Sequence, residues 1–268
     1  MMTLLAPERT FRRLTRDLLW RVTLPFALLG LWWLLSSLEA NLYFPALPKI
    51  LATFRHVWLG SGFVHEALPS LRNLAIGYVG GTVTGIAAGV VVASGRVVSA
   101  VAAPLIDFAR SLPPPALLPF AILALGIGAS MKIGIIWFAV FFVVVLGAAD
   151  GVRGVDATSK EVARSFRISW RVRLFRITLP AASPNIVAAM RTALSLGLLM
   201  MIVSEMVAST TGIGFFTLQA EQNFAYSDMW AGMLLLGVLG YLFNAGFDRF
   251  ERRVLFWQAR RSPAGPLK

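Results

Sequence analysis

Six apolar runs, each long enough to cross a lipid bilayer as a helix, constrain this chain more than any other feature. A helix needs about 20 residues to span a hydrocarbon core of about 30 Å. Apolar residues make up 57% of the 268 residues, more than a soluble domain of this length can bury. We therefore predict an all-α integral membrane protein with six transmembrane helices, at 22–39, 71–94, 101–126, 131–150, 186–207 and 229–247. The prolines at 113–115 and 119 interrupt the third run.

The distribution of Lys and Arg predicts the orientation of these helices, because basic residues are retained on the cytoplasmic side of a membrane. With both termini cytoplasmic, 19 basic residues fall in cytoplasmic segments, and the outer segments contain only Lys49, Arg55, Arg72 and Lys132. We expect a cytoplasmic N-terminal segment at 1–21, a transmembrane domain at 22–247 and a cytoplasmic C-terminal tail at 248–268. No small-residue cleavage site follows the first run, so we expect that span to be retained.

Composition argues against several classes of function. The chain has no Cys, which excludes a thiolate metal site, and its two His argue against a His-rich metal site. The net charge of +12 follows the orientation pattern of a membrane protein, so we expect no nucleic-acid partner. An integral-membrane enzyme would need His, Asp or Glu clustered near a membrane face, and the sequence has no such cluster. No catalytic residue and no metal site is therefore predicted.

The cytoplasmic segment at 155–180 predicts two short helices joined by an elbow. Asp156 can cap the first helix and Ser169 the second, which Pro180 is expected to end. An apolar stripe along the second helix consists of Trp170, Leu174 and Ile177. This stripe could pack on the membrane core, leaving the first helix and the elbow to face a partner. Docking of the basic segment on anionic membrane lipid is the alternative, and the two can coexist.

Four glycines at intervals of four line one face of the second span: Gly77, Gly81, Gly85 and Gly89. Such a face lets the backbone of another helix approach closely. It serves either an interface that slides or pivots during gating, or fixed packing within one subunit.

The residues Glu161-Val162-Ala163, followed after Arg167 by Ile177-x-Leu179-Pro180, resemble the EAA signature (E-A-A, three residues, G, nine residues, I-x-L-P). This signature is typical of permease subunits of bacterial ABC importers. Further motifs are similar to the nitrate/sulfonate/taurine branch of binding-protein-dependent permeases, and the similarity covers roughly 45–257. These motifs lie at 110–119, 126–128, 151–156, 204–206 and 211–214.

The resemblance implies a type I ABC importer permease fold in the bacterial inner membrane, with six spans and usually a homodimer. It implies two cytoplasmic ATPase subunits, which bind ATP and Mg²⁺, and an extracytoplasmic solute-binding protein as partners, so that this chain needs no cofactor. The segment expected to contact the ATPase comprises Glu161, Val162, Ala163, Arg164, Ser165, Arg167, Leu179 and Pro180.

The family suggests a small anion such as a sulfonate, taurine or nitrate as the transported substrate. A pyrimidine precursor, an aromatic acid or another small organic solute is the alternative. A secondary transporter or channel that works without ATP is the alternative from another class. It would show acidic relays within the membrane or inverted repeats, and the sequence shows neither clearly.

Arg167 departs from the signature, which has Gly at this position. Gly adopts positive φ at an elbow without a steric penalty, whereas Arg in that conformation costs of the order of 1 kcal/mol. Either the elbow is reshaped, or Arg167 contacts an acidic group on the ATPase.

Charged groups within spans are the candidates for the translocation pathway, because they are expensive to place in a membrane. Arg110 and the Ser204-Glu205 pair are the candidates here. A structural ion pair between Arg110 and Asp107 is the alternative for the first, since residues at i and i+3 meet on a helix. A structural hydrogen-bonded role is the alternative for Glu205.

Overall fold

A computed structural model describes residues 43–259, together with residues 23, 27, 30–34 and 36. Every regular element in this part of the chain is helical. The helices are α1 Leu47–Trp58, α2 Phe63–Ala93, α3 Arg96–Ser111, α4 Leu118–Leu125, α5 Ala129–Arg153, α6 Ala157–Ser165, α7 Trp170–Val207, α8 Ile213–Gln222, α9 Tyr226–Val254 and α10 Phe256–Ala259.

Four described helices are long and apolar enough to cross a membrane: α2, α5, α7 and α9. They correspond to the second, fourth, fifth and sixth predicted spans, and they confirm an all-α membrane protein. A fifth span results if α3 and α4 are counted together. Most of the predicted span at 22–39 lies outside the described residues, so the count of six and the cytoplasmic termini stay predictions.

The third predicted span is not one straight helix. The helix α3 and the segment Pro114–Leu125 meet at an angle of 88°. Leu112 and Pro113 are extended between them, and each precedes a proline, whose ring disfavours the helical conformation of the residue before it. Pro114–Leu117 then forms a 3₁₀ turn before α4 begins.

Pro180 does not end a helix, contrary to the prediction. A π-helical turn at Leu174–Thr178 immediately precedes it, and the N–H of Leu179 donates to the carbonyl of Leu174. Because Pro180 stands in the first turn after this break, its missing N–H and its ring are accommodated, and α7 continues to Val207. Pro69 follows a π-helical turn at Phe63–Ala67 in the same way, inside α2.

The core is the crossing of α2, α5 and α7. A methyl group on Gly77 would lie 2.7 Å from Cγ2 of Ile136, and one on Gly89 would lie 2.5 Å from the carbonyl oxygen of Val145. Methyl groups on Gly81 and Gly85 would likewise lie 2.9 Å and 3.0 Å from backbone carbonyl oxygens of α5. The four glycines of the predicted stripe therefore bring α2 and α5 together within one chain.

The helices α5 and α7 meet in the same close manner near the elbow. A methyl group on Gly151 would lie 2.8 Å from the carbonyl oxygen of Ala182, and one on Gly147 would overlap Ala189. The three long helices thus have backbone contacts along their length, and α6 with the elbow connects two of them.

Candidate functional site

The first helix of the segment at 155–180, α6, begins at a capped N-terminus. The carboxylate Oδ2 of Asp156 accepts hydrogen bonds from the backbone N–H of Ser159 at 3.0 Å and from its hydroxyl at 3.2 Å. The backbone hydrogen bond from Ser159 is the main cause that lowers the pKa of Asp156 below its ordinary value of 3.8. The predicted cap at this position is confirmed, because the side chain satisfies donors that a helix N-terminus leaves free.

The elbow after α6 has the hydrogen-bond pattern of a Schellman motif. The N–H of Ile168 donates to the carbonyl of Ala163 at 3.0 Å, and the N–H of Arg167 donates to the carbonyl of Arg164 at 2.9 Å. Arg167 lies at φ 50, in the left-handed region where Gly has no steric penalty. The elbow therefore keeps the conformation of a glycine at this position although the residue is Arg.

Exposed and buried side chains alternate sharply on this segment. Glu161, Arg164, Ser165 and Arg167 are exposed, whereas Ala163 is only 1% exposed and packs toward the protein.

Two large apolar side chains near the end of α6 face outward. Val162 is 48% exposed and Phe166 is 77% exposed. Sequence reasoning missed Phe166, although its position one helical turn after Val162 was the signal for an apolar face. An apolar pair beside the Glu161 carboxylate gives a surface suited to contact another protein.

The second half of the segment leads into the membrane. Leu179 and Pro180 are partly buried within α7, as are Leu174 and Ile177. The predicted packing of the apolar stripe does not extend to Trp170, which is 62% exposed. No cap hydrogen bond from the Ser169 side chain is made, contrary to the prediction.

A cleft of about 520 Å³ separates the segment from the ends of α2 and α5. Trp170 lines it together with Arg164 and Arg173 from the segment and Ser94 and Val152 from the membrane helices.

At the opposite end of the bundle, Ser204 and Glu205 are completely buried. The Ser204 hydroxyl donates to the carbonyl of Met201 at 2.9 Å, within α7. The Glu205 carboxylate accepts a 3.0 Å hydrogen bond from the N–H of Gly214, in the first turn of α8. Gly212, at φ 125, covers this carboxylate so closely that a methyl group there would overlap it.

Two further side chains complete the capping of α8. The Glu66 carboxylate accepts from the N–H of Gly212 at 2.6 Å, and the Ser70 hydroxyl accepts from the N–H of Ile213 at 3.0 Å. Consecutive backbone donors at one helix N-terminus are therefore satisfied by side chains of α2 and α7, which ties these helices to α8.

Lys132 belongs to the same network and is only 5% exposed. Its ammonium group donates to the hydroxyl of Ser209 and, at 3.1 Å, to the carbonyl of Thr211. It was counted among the basic residues of the outer segments, but the structure places it inside α5. The signal was its position within an apolar run, where a charged residue needs partners.

Arg110 lies at the end of α3, before the bend. Its guanidinium is 3.8 Å from the carboxylate of Asp107, and both side chains are more than half exposed. Exposed pairs of this kind contribute about 0–1 kcal/mol, so the pair leaves Arg110 available for other contacts.

The sequence profile of the family "binding-protein-dependent transport system inner membrane component" matches residues 81–256. The chain belongs to this family. It is accordingly a multi-pass ABC transporter permease of the inner membrane, as the resemblance implied.

Named relatives of this permease come from several bacteria. It is 28% identical to the putative aliphatic sulfonates transport permease SsuC of Bacillus subtilis, over 88% of this chain and 86% of the relative. The taurine transport permease TauC of Escherichia coli is also 28% identical, over 86% of this chain and 86% of the relative. The bicarbonate transport permease CmpB of Synechococcus elongatus is 32% identical, over 75% of this permease and 72% of the relative.

Solved structures support the same fold. A chain from an inward-facing conformation of the MetNI methionine ABC transporter matches with a TM-score of 0.60 at 20% identity, over 78% of this permease and 99% of that chain. A chain from a second crystal form of that transporter matches with a TM-score of 0.58 at 22% identity, over 70% of this permease and 94% of that chain. The helical fold of this permease is thus similar to that of the matched chain of the methionine ABC transporter.

Proposed function

We propose that this chain forms the translocation path of an ATP-driven importer for a small anion and engages a cytoplasmic ATPase through the segment around Glu161. The observation that carries the proposal is the exposed surface of α6, where Glu161 stands beside the apolar side chains of Val162 and Phe166. A partner that covers this surface would bury both apolar groups and supply a cation to the carboxylate. The chain itself hydrolyses nothing.

The connection of the segment to the membrane helices supports a coupling role. The helix α6 follows α5 directly, and the elbow continues into α7. Because Gly147 and Gly151 bring α5 and α7 into close contact, the two helices cannot easily move apart when the elbow is displaced. A displacement imposed by the ATPase would therefore tilt α5 and α7 together.

The network around Glu205 would transmit this tilt to the other side of the membrane. Buried hydrogen bonds attach α8 to α2 and α7 there, so the outer ends of these helices move with them. We infer an alternating-access cycle between two copies of the chain. A loaded solute-binding protein docks outside, ATP closes the ATPase subunits and opens the path outward, and hydrolysis resets it.

The names of the relatives support a small anion as the substrate class, since they transport aliphatic sulfonates, taurine and bicarbonate. Arg110, with its exposed guanidinium, is our candidate for an anion contact in the path. Ser204 and Glu205 are proposed to act on the path only indirectly, because both side chains are fully buried. A thermal-shift screen of the cognate binding protein with these anions and with pyrimidine precursors and aromatic acids would identify the ligand.

The coupling proposal is tested by reversing the charge at Glu161. We expect Glu161→Lys to lose both co-purification of the ATPase subunit and ATP-dependent uptake into proteoliposomes that hold the complete transporter. Glu221→Lys, the same charge reversal at an exposed position of α8 on the opposite side, is the matched control and should retain the ATPase. Normal assembly and uptake with Glu161→Lys would refute the assignment. Uptake by wild-type protein without ATP would instead support a secondary transporter.

A further inference from the structure

A charged cluster joins α7 and α9 away from the sites described above. The Arg191 guanidinium of α7 pairs with Asp248 and, at 2.6 Å, with Glu251, which lie one turn apart on α9. The guanidinium also lies over the ring of Phe247, with its carbon 5.5 Å from the ring centre. The cluster contains one basic and two acidic side chains, so its net charge is negative.

These three side chains are between 36% and 42% exposed although they lie on membrane-spanning helices. Apolar residues at 186–190 and 196–203 flank Arg191 on both sides. At 1.5 Å per residue, Arg191 is about 24 Å from Val207 at the far end of α7, which places it in the cytoplasmic half of a hydrocarbon core of about 30 Å. The ion pairs lower the cost of these charges at this depth, and a polar group from outside the chain could bind the donors and acceptors that the pairs leave unused.

An apolar groove of about 340 Å³ ends at this cluster. It lies between α2 and α9, from Leu71 to Val79 on one wall and from Leu242 to Phe250 on the other, with Leu194 of α7 between them. Each wall is about 12 Å long at 1.5 Å per residue.

The groove and the cluster meet at two points. Phe247 lines the groove and also carries the Arg191 guanidinium on its ring. The Tyr78 hydroxyl, at the same end of the groove, donates to the carbonyl of Met190, the neighbour of Arg191. The groove therefore opens, at its cytoplasmic end, onto a set of charged groups.

We propose that the groove and the cluster together bind one phospholipid with an amine-bearing, zwitterionic headgroup from the cytoplasmic leaflet. An acyl chain fills the apolar groove and covers the groove walls, which then no longer contact disordered lipid. The phosphate meets N–H groups of Arg191 that the carboxylates leave free, since a guanidinium has five donors. The ammonium group meets the free oxygens of Asp248 and Glu251. The negative charge of the cluster disfavours an anionic headgroup that has no cation of its own.

Gly246 provides a selective test because it lines the groove and a methyl group there would meet nothing within 4 Å. Gly246→Leu places a larger apolar side chain in the groove, and its Cβ has open space. Gly237→Leu is the matched control, because Gly237 lies on the same helix with the same open space but does not line the groove. Both variants should purify and unfold like the wild type.

The measurement is native mass spectrometry of the full chain in detergent, with phosphatidylethanolamine and phosphatidylglycerol supplied in equal amounts. We expect wild type and Gly237→Leu to retain one phosphatidylethanolamine per chain. In Gly246→Leu, loss of space for two methylene groups should weaken retention about tenfold. Asp248→Asn should abolish the preference for phosphatidylethanolamine over phosphatidylglycerol.

Three results would overturn the proposal. Equal retention of both lipids by the wild type contradicts the role of the cluster, and equal retention by the two Leu variants contradicts the role of the groove. If Gly246→Leu instead dissociates a dimer that Gly237→Leu preserves, a second copy of the chain covers the groove.

Discussion

The N–H of Ile168 donates a 3.0 Å hydrogen bond to the carbonyl of Ala163, and this bond encloses Arg167 in a left-handed turn at φ 50. Phe224, at φ 58, occupies the same position after α8, where the N–H of Ala225 donates to the carbonyl of Ala220 at 2.8 Å. Both helices thus end in a Schellman motif with a large residue at the place that Gly usually takes. The chain bears this strain on both sides of the membrane.

Replacement of Arg167 by Gly should stabilise the protein. Gly removes the penalty for positive φ but gives the unfolded chain more freedom, so we expect a net gain of about 0.5–1 kcal/mol. Arg167→Ala is the control, because Ala has the same conformational penalty and should give no gain. Denaturant unfolding of the purified protein in detergent measures the difference. Equal stability of the Gly and Ala variants would show that the backbone at this position is unstrained.

The long helices were predictable because each contains a long run of mostly apolar residues. The run at 131–150 corresponds to α5, and the run at 229–247 lies within α9. The prolines were harder to interpret. Pro180 and Pro69 each follow a π-helical turn that accommodates the missing N–H, whereas the consecutive prolines 113–115 leave no such accommodation and bend the chain.

The network around Glu205 could be predicted only in part. Ser204 and Glu205 stand out as polar residues at the end of an apolar run, and the nearby glycines indicate a turn. Glu66 and Lys132 join this network because of the way in which α2 and α5 pack. No local sequence pattern predicts that packing. Val162 was singled out as part of the signature, whereas Phe166 was missed because it stands at a position for which the signature specifies no residue type.

Gly212 should tolerate substitution much less well than Gly126. Both have positive φ, at 125 and 74, but a methyl group on Gly212 would overlap the Glu205 carboxylate and one on Gly126 would meet nothing within 4 Å. We expect Gly126→Ala to cost about 1–3 kcal/mol for the conformation alone, and Gly212→Ala to cost about 2 kcal/mol more. Thermal unfolding of the two variants tests this. Similar melting temperatures would mean that the loop moves away from Glu205 without cost.

Glu205 should be replaceable by Gln but not by Leu. Gln keeps an oxygen that accepts from the N–H of Gly214, whereas Leu leaves this buried donor without its partner. The unfolding free energy of Glu205→Leu should be about 1–3 kcal/mol lower than that of Glu205→Gln. If Glu205→Leu is as stable as Glu205→Gln, the hydrogen bond between Gly214 and residue 205 does not anchor α8.

Asp156 should make the stability of α6 depend on pH in the acidic range. Its pKa in the folded protein is lowered below 3.8, chiefly by the hydrogen bond from the Ser159 N–H. The stabilisation is therefore fully present above the ordinary pKa and is lost as the pH falls through the lowered value. Asp156→Asn also caps a helix but does not titrate. The difference in unfolding free energy between the two proteins should stay constant from pH 7 to about 5 and change only below about pH 4. A difference that does not change down to about pH 2 would show that Asp156 has no charge-dependent role in the cap.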